Sequence, residues 1–365
     1  MPELLVIAEQ LLAPVPGGTG RYTRELLRAL AATAPPGWEV TSAISRGSDP
    51  QRAAVDGVRG PKVLPLPGRA LLAAWERGLP PWPGGDSVHA PTPLAPPARR
   101  GRRVVVTVHD TVPWTNPETL TRRGVSWHRR AIRRAAERAD ALVVPTEATA
   151  AALAERVRIR AELHVIGEGV APSLLAEPDP DRSRVVAAAL PPRYLLAVGT
   201  TEPRKGYQHL VAALSRPEAP RLPLLVVGPQ GWGGVDLARL AERYGLPAER
   251  VRQLRGVGDA ELGVLVRRAA AVVVPSLAEG FGLPVAEAMA LGTPVVHSDD
   301  PALVEVAGGA GLTAPRGDPT ALARALRRVT DDPELAGRLV EAGHRRAADF
   351  DWQRTARAIW QLHTG

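Results

Sequence analysis

Two carboxylates, Glu279 and Glu287, stand eight residues apart in the run Glu279-Gly280-Phe281-Gly282-Leu283-Pro284-Val285-Ala286-Glu287. Between them lie a Gly-aromatic-Gly turn and a proline suited to the first position of a helix, where a missing N–H and a preset φ cost nothing. Gly292 and Pro294 end that helix. The run therefore gathers acids and free backbone N–H groups in one small volume. Helix N-termini attract anions through their N–H groups and dipole. Carboxylates accept hydrogen bonds from hydroxyls, as a sugar or a ribose would offer. Gly280 and Gly282 let a ligand approach the backbone, and Glu287 is expected in the first helical turn, aimed at the same ligand.

A second constellation is Val198-Gly199-Thr200-Thr201-Glu202-Pro203-Arg204-Lys205-Gly206. Adjacent Arg and Lys between a strand and a helix suit a diphosphate, one as a planar fork and the other as a point charge. Together they can offset the charge that builds on a departing nucleoside diphosphate. A third candidate is His109, at the end of the β-branched run Val104–Val108, with Asp110 beside it to orient the loop. Trp114 is as compatible with a core as with an acceptor site.

The elements that must position these groups are short apolar runs alternating with helical segments. Leu4–Ala8, Val104–Val108, Ala141–Val144 and Leu163–Ile166 read as strands in the first half. Tyr194–Val198, Leu224–Val227, 251–254, 271–274 and 294–296 follow in the second. This is α/β patterning, with βαβ units and parallel sheets. The Pro-rich stretch 171–193 marks a boundary between two Rossmann-like domains, 1–185 and 186–347, followed by a helix over 348–365. Ligands of such sheets bind beyond the carboxyl ends of strands, and all three constellations fall at such ends.

Composition narrows the classes. At 365 residues the chain is long enough for two cores. It has no cysteine, so disulfides and thiolate metal sites are excluded, and the N-terminus lacks the basic region of a signal peptide. A cytoplasmic protein is expected. The net charge of +8 rests almost wholly on arginine, for Lys62 and Lys205 are the only lysines. Much of it lies in the segment 122–138, which reads as a basic helix able to touch an anionic membrane surface or simply to face solvent. No aromatic stacking motif accompanies it, which argues against nucleic acid. Asp179-Pro180-Asp181 spells a metal-binding pattern but has no strand end beside it, so no metal site is expected there.

The sequence Glu-Gly-Phe-Gly-Leu-Pro-x-x-Glu over 279–287, continued to Val296, resembles the signature of retaining glycosyltransferases of the GT-B fold, in the large group called family 4. The segment 199–205 is similar to that family's Gly-Thr-x-Glu-Pro-Arg-Lys, with Thr200 where some members carry a further arginine. Gly17-Gly18-Thr19-Gly20-Arg21-Tyr22 resembles its glycine-rich loop. The resemblance implies two Rossmann-like domains facing each other across a cleft, a terminal helix crossing back to the first domain, and a nucleoside-diphosphate sugar as donor with no metal or other cofactor. It implies that Glu279, with Gly280, Phe281, Gly282 and Leu283, holds sugar hydroxyls and that Glu287 holds the ribose. Arg204 and Lys205 would take the diphosphate beside Thr200. His109 would touch the donor sugar, Gly18 would face the phosphates or acceptor, and backbone at Arg255, Gly256 and Val257 would hold the nucleobase. The activity implied is transfer of a hexose, mannose or glucose, to a hydroxyl of a glycan, glycolipid or small molecule. A nucleotide-sugar epimerase and a catalytically silent sugar-nucleotide-binding subunit remain alternatives. Nucleobase, acceptor and oligomeric state are open.

Overall fold

A computed structural model describes the chain except for Pro16, Ser48, Pro178, Pro180, Arg182, Ser183, Val186, Ala187, Ala189 and Trp232. The expected boundary at 185/186 and the Asp179-Pro180-Asp181 pattern thus each include a residue outside the described ones. The chain divides into two compact units. Met1–Pro117, Thr121–Glu168 and Asp351–Gly365 make the first; Glu118–Leu120 and Gly169–Phe350 make the second. The second unit begins as early as Gly169 because Val170, Ala171 and Leu174 are buried in its core.

The first unit carries seven strands: β1 (Glu3–Ile7), β2 (Glu39–Arg46), β3 (Arg59–Pro67), β4 (Ser87–Ala90), β5 (Arg103–Thr107), β6 (Ala141–Val144) and β7 (Glu162–Val165). They form a parallel sheet in the order β3-β2-β1-β4-β5-β6-β7. The interior strands are apolar on both faces, as a sheet covered by helices on both sides requires. Val105, Leu142 and Val143 are fully buried. β2 and β4 depart from this composition, since Thr41, Ser42 and Ser45 are buried in β2 and Ser87 and His89 in β4. The Ser45 N–H and hydroxyl both donate to the Glu9 carboxylate, at 2.8 and 2.7 Å, which compensates that residue's burial.

The first helix, Gly17–Ala32, buries Tyr22, Leu26, Leu27 and Leu30 on one face. The expected Gly17–Gly20 loop is instead this helix's opening turn. The last helix, Trp352–Thr364, lies against the first helix within this unit. Trp352, Ile359 and Trp360 join its core, and the Trp360 indole N–H donates to the Leu30 carbonyl at 3.1 Å.

The second unit has six parallel strands: β8 (Leu195–Val198), β9 (Leu224–Val227), β10 (Val251–Leu254), β11 (Ala271–Val274), β12 (Val295–Ser298) and β13 (Leu312–Ala314). Their order is β10-β9-β8-β11-β12-β13, the doubly wound arrangement of the Rossmann fold. Asp-Pro pairs open its later helices. Asp300, Asp318 and Asp332 accept from N–H groups of the first turn while the following proline fills the first helical position.

Candidate active site

Strand order reverses in the second unit between β8 and β11, and a crevice for ligands opens at such a switch point beyond the strand ends. The loop after β8 carries Arg204 and Lys205, and the loop after β11 carries Glu279. The three side chains meet there. Arg204 Nη1 donates to Glu279 Oε2 at 2.8 Å, and Lys205 Nζ donates to Glu279 Oε1 at 2.6 Å. Ser276 Oγ donates to the same Oε1 at 2.7 Å. Arg204 also donates to the Ala278 carbonyl and to Glu202, each at 2.8 Å. The Glu279 side chain is only 8 % exposed. Burial by itself would raise its pKa, but Lys205 and Arg204 outweigh it and hold the carboxyl down at about 2.

The backbone explains why these loops meet. Gly206 has φ +68°, and a Cβ there would sit 2.1 Å from the Pro275 carbonyl oxygen. Only glycine lets the end of the Arg204-Lys205 turn lie against the strand that delivers Ser276 and Glu279. Leu277 N–H then donates to the Arg204 carbonyl at 2.8 Å, tying the two loops together.

The helix expected after Glu279 spans Leu283–Ala290. It begins one residue before Pro284, so Glu287 lies in its second turn rather than its first, and is buried. Gly282 takes φ +96° and presses on Leu303, whose Cδ2 would be 2.3 Å from an added Cβ. That glycine therefore serves the packing of this helix's start. Phe281 is buried in the core, edge-on to Phe350 at 5.5 Å. Leu283 packs partly buried against the same core, as does Val257, whereas Arg255 and Gly256 are exposed. Thr200 accepts from the Glu202 N–H at 3.0 Å through its carbonyl. Gly18 is exposed on the first helix.

Asp300 is a residue that sequence reading does not single out. It caps the helix Pro301–Ala307, its carboxylate accepting from Ala302 and Leu303 N–H at 3.0 and 3.3 Å. Burial, then the nearby charge of Glu279, pushes its pKa up to about 6.

In the first unit, His109 follows β5. Its Nε2 lies 2.9 Å from the Pro91 carbonyl and its Nδ1 3.3 Å from Glu168. The Tyr22 ring meets it edge-on with centroids 4.5 Å apart. Burial opposes a charge on His109, but Glu168, Pro91 and Asp110 together raise its pKa. Glu168 also escapes sequence reading, because nothing in Gly167-Glu168-Gly169 signals a partner 59 residues away. Asp110 accepts from the Val112 N–H at 3.0 Å and so orients its own loop. Trp114 lies under Arg129 and Arg133, which pass about 6 Å over its ring. The basic helix spans Arg122–Arg138, the expected range, with the Thr121 hydroxyl accepting from the Gly124 N–H to cap it. No helix among the described residues is long and apolar enough to cross a membrane. Among the described residues no group of three His, Asp or Glu could hold a metal ion.

Two Rossmann-like units, the second with cations and a buried carboxylate at its switch point, define a doubly wound protein equipped for an anionic ligand. Two family models divide the chain between them: Glycosyltransferase Family 4 matches residues 16–174, and Glycosyl transferases group 1 matches residues 180–346. The chain belongs to the family 4 glycosyltransferases.

Among curated relatives, an MMP alpha-(1->4)-mannosyltransferase of Mycolicibacterium hassiacum is 32% identical over 71% of this chain and 64% of its own length. An O-antigen chain mannosyltransferase B of Escherichia coli is 37% identical over 44% of this chain and 42% of its own. A glycogen synthase of Mycobacterium tuberculosis is 37% identical over 54% and 50%. The chain thus spans from about two-fifths to under two-thirds of the length of these relatives. A sucrose-phosphate synthase from Thermosynechococcus elongatus shares the fold over 99% of this chain and 98% of its own, with a TM-score of 0.74 at 24% identity. WaaG, a glycosyltransferase involved in lipopolysaccharide biosynthesis, shares it over the full length of both chains, with a TM-score of 0.72 at 18% identity. These neighbours are GT-B glycosyltransferases, and this chain has their architecture.

Proposed function

We propose that the chain transfers a hexose, mannose or glucose, from a nucleoside-diphosphate sugar to an acceptor hydroxyl with retention of anomeric configuration and without a metal. The observation that carries this reading is the convergence of Arg204 and Lys205 on Glu279 at the switch point of the second sheet. Two cations are fixed there before any ligand arrives, so a diphosphate meets charges that need little reorganisation. They stabilise the negative charge that develops on the leaving nucleoside diphosphate. Glu279 stays ionised and accepts hydrogen bonds from sugar hydroxyls, a role that a carboxyl held at about pKa 2 keeps throughout the physiological range. The curated relatives include two mannosyltransferases, and solved neighbours include HepE of Anabaena in complex with UDP-glucose. Both support a hexose donor. Glu287 as the ribose contact, His109 as a contact to the donor sugar, and the basic helix Arg122–Arg138 as a surface for an anionic membrane belong to the same reading.

The test is a thermal-shift panel with GDP-, UDP-, ADP- and TDP-sugars, because a bound donor raises Tm by mass action. Transfer is then assayed with the donor that binds. The proton–proton coupling at the anomeric carbon of the product reports retention. Conversion of donor to an isomeric sugar nucleotide without acceptor indicates an epimerase, and binding without turnover indicates a silent subunit. Either overturns the proposal. EDTA is expected to leave the rate unchanged; strong inhibition brings back a metal.

A further inference from the structure

The His109 ring is held by two oxygens that face its two nitrogens. Pro91 presents a carbonyl to Nε2 at 2.9 Å, and Glu168 presents a carboxylate to Nδ1 at 3.3 Å. Carbonyls and carboxylates accept and do not donate. Both contacts are satisfied together only when each ring nitrogen carries a proton, which is the imidazolium. Glu168 is itself buried, 5 % exposed. The remaining neighbours fit that state. Asp110 adds negative charge, and the Tyr22 ring closes the side without offering an acceptor. His89, the other titratable group near His109, disfavours a second positive charge and is itself kept neutral by burial.

We propose that Glu168 is a positioning residue that keeps His109 doubly protonated and fixes its ring plane, so that His109 acts in transfer as a fixed positive charge and never as a proton acceptor. The inference rests on the glycosyltransferase reading only for its kinetic consequence. The protonation state is a property of the ring and its neighbours and does not depend on that reading. A neutral histidine with a bare nitrogen could serve as a base; one clamped between two acceptors cannot. The charge is required throughout the reaction, so the rate falls when rising pH removes the proton.

The experiment compares the full chain with its Glu168→Gln and Glu168→Asp variants. Side-chain nitrogen NMR of protein labelled at histidine, assigned with His109→Gln, follows the His109 titration. Wild type and Glu168→Asp should carry both ring protons at pH 7. In Glu168→Gln the proton should be lost at lower pH, by about one unit. The basic limb of kcat/KM, read as nucleoside diphosphate release with the donor selected by thermal shift, should move to lower pH by the same amount, with partial return in Glu168→Asp. A His109 titration unchanged by Glu168→Gln overturns the inference. A titration that moves while the pH–rate profile stays fixed overturns the role in transfer. Absence of turnover in wild type with every donor refutes the enzymatic reading instead, and the titration still decides the clamp.

Discussion

The two units each hold a buried charge in a clamp, and the clamps are built in opposite ways. In the second unit a carboxylate, Glu279, is gripped by two cations and a hydroxyl. In the first unit a histidine, His109, is gripped by a carboxylate and a carbonyl. Each central group is held in its charged form by partners that outweigh burial. They differ in span. Arg204 and Lys205 are adjacent in sequence, and Ser276 lies three residues from Glu279. The partners of His109 come from beyond the ends of two other strands. The first clamp is assembled from two local motifs, and the second exists only through the sheet.

The largest expected effect comes from opening the second unit's clamp. Glu279→Ala takes the shared carboxylate from two half-buried cations and leaves Arg204 with Glu202 as a charged partner. It should therefore abolish transfer and cost about 3 kcal/mol of stability, the low end for a broken buried pair. Glu279→Gln keeps the shape and an acceptor oxygen and should lose less stability while transfer still fails. Denaturant midpoints with a transfer assay check both. Full transfer by Glu279→Ala and Lys205→Ala would remove this clamp from the reaction.

Gly206→Ala should follow. The new Cβ meets the Pro275 carbonyl oxygen, and the residue is held at φ +68°. A loss of about 2–3 kcal/mol is expected, together with weaker donor binding, because the loop bearing Lys205 must shift. A thermal-shift titration reads both, and an unchanged Tm would mean that the two loops are not locked together.

How much of this was legible follows from the same contrast. Tight apolar runs such as Ala141–Val144, Leu224–Val227 and Ala271–Val274 declare themselves as strands and are strands. Polar and very short strands do not. β2 hides behind its threonine and serines, β4 behind Ser87 and His89, and β13 has only three residues. Glu279, Arg204 and Lys205 stand out because each lies in a glycine- and proline-punctuated turn at a strand end. Glu168 and Asp300 do not, since a buried acid is recognisable only through neighbours that the fold supplies. Glu287 falls one residue further into its helix, and so into the second turn, because the helix starts at Leu283, ahead of the proline that signals it.

Acid should unfold the first unit through two linked buried histidines, a coupled version of what the lone buried His297 does in the second. A directed chain of hydrogen bonds crosses its core. Tyr22 O–H lies 3.2 Å from Thr107, Thr107 3.1 Å from His89, His89 3.2 Å from His363 and His363 2.6 Å from Ser87, whose hydroxyl donates to the Arg103 carbonyl at 3.3 Å. With the chain ending on a carbonyl, each histidine accepts at one nitrogen and donates at the other, and a second proton on either breaks it. Burial, with His109 adding to it, lowers the His89 pKa to about 3; burial, His89 and Arg103 lower that of His363. Their folded values lie below the unfolded one near 6.5, so their contribution is complete above that pH and is lost as pH falls toward 3. The slope should reach at most about 1.4 kcal/mol per pH unit for each histidine. His363→Gln should remove one proton from it, as pH-dependent denaturation would show; an unchanged slope would mean that His363 titrates normally.

The smallest expected effect tests whether the second unit's clamp reaches beyond its own members. Asp300 is raised to about 6 first by burial and then by the charge of Glu279. Its unfolded value, 3.8, is lower, so between those values the folded state binds more protons than the unfolded one. Stability therefore falls as pH rises from 3.8 to 6, and the full penalty persists above that. Asn caps a helix as well as Asp does, and Asp300→Asn keeps the acceptor for the Ala302 and Leu303 N–H groups while removing the charge. It also gives up the 3.6 Å approach of Arg316, a cation whose side chain is 41% exposed and therefore weakly coupled. The variant should fall short of wild type near pH 4 and exceed it above pH 6 by about 1 kcal/mol. The amide gives up the Glu279 N–H bond that the carboxylate accepts, which offsets part of the roughly 3 kcal/mol carried by a shift from 3.8 to about 6. Equal differences in Tm at pH 4 and pH 8 would show that Glu279 does not press on Asp300. Combining the variant with Glu279→Gln isolates the cause: the gain above pH 6 should shrink once the neighbouring charge is gone, because two sites in contact do not add.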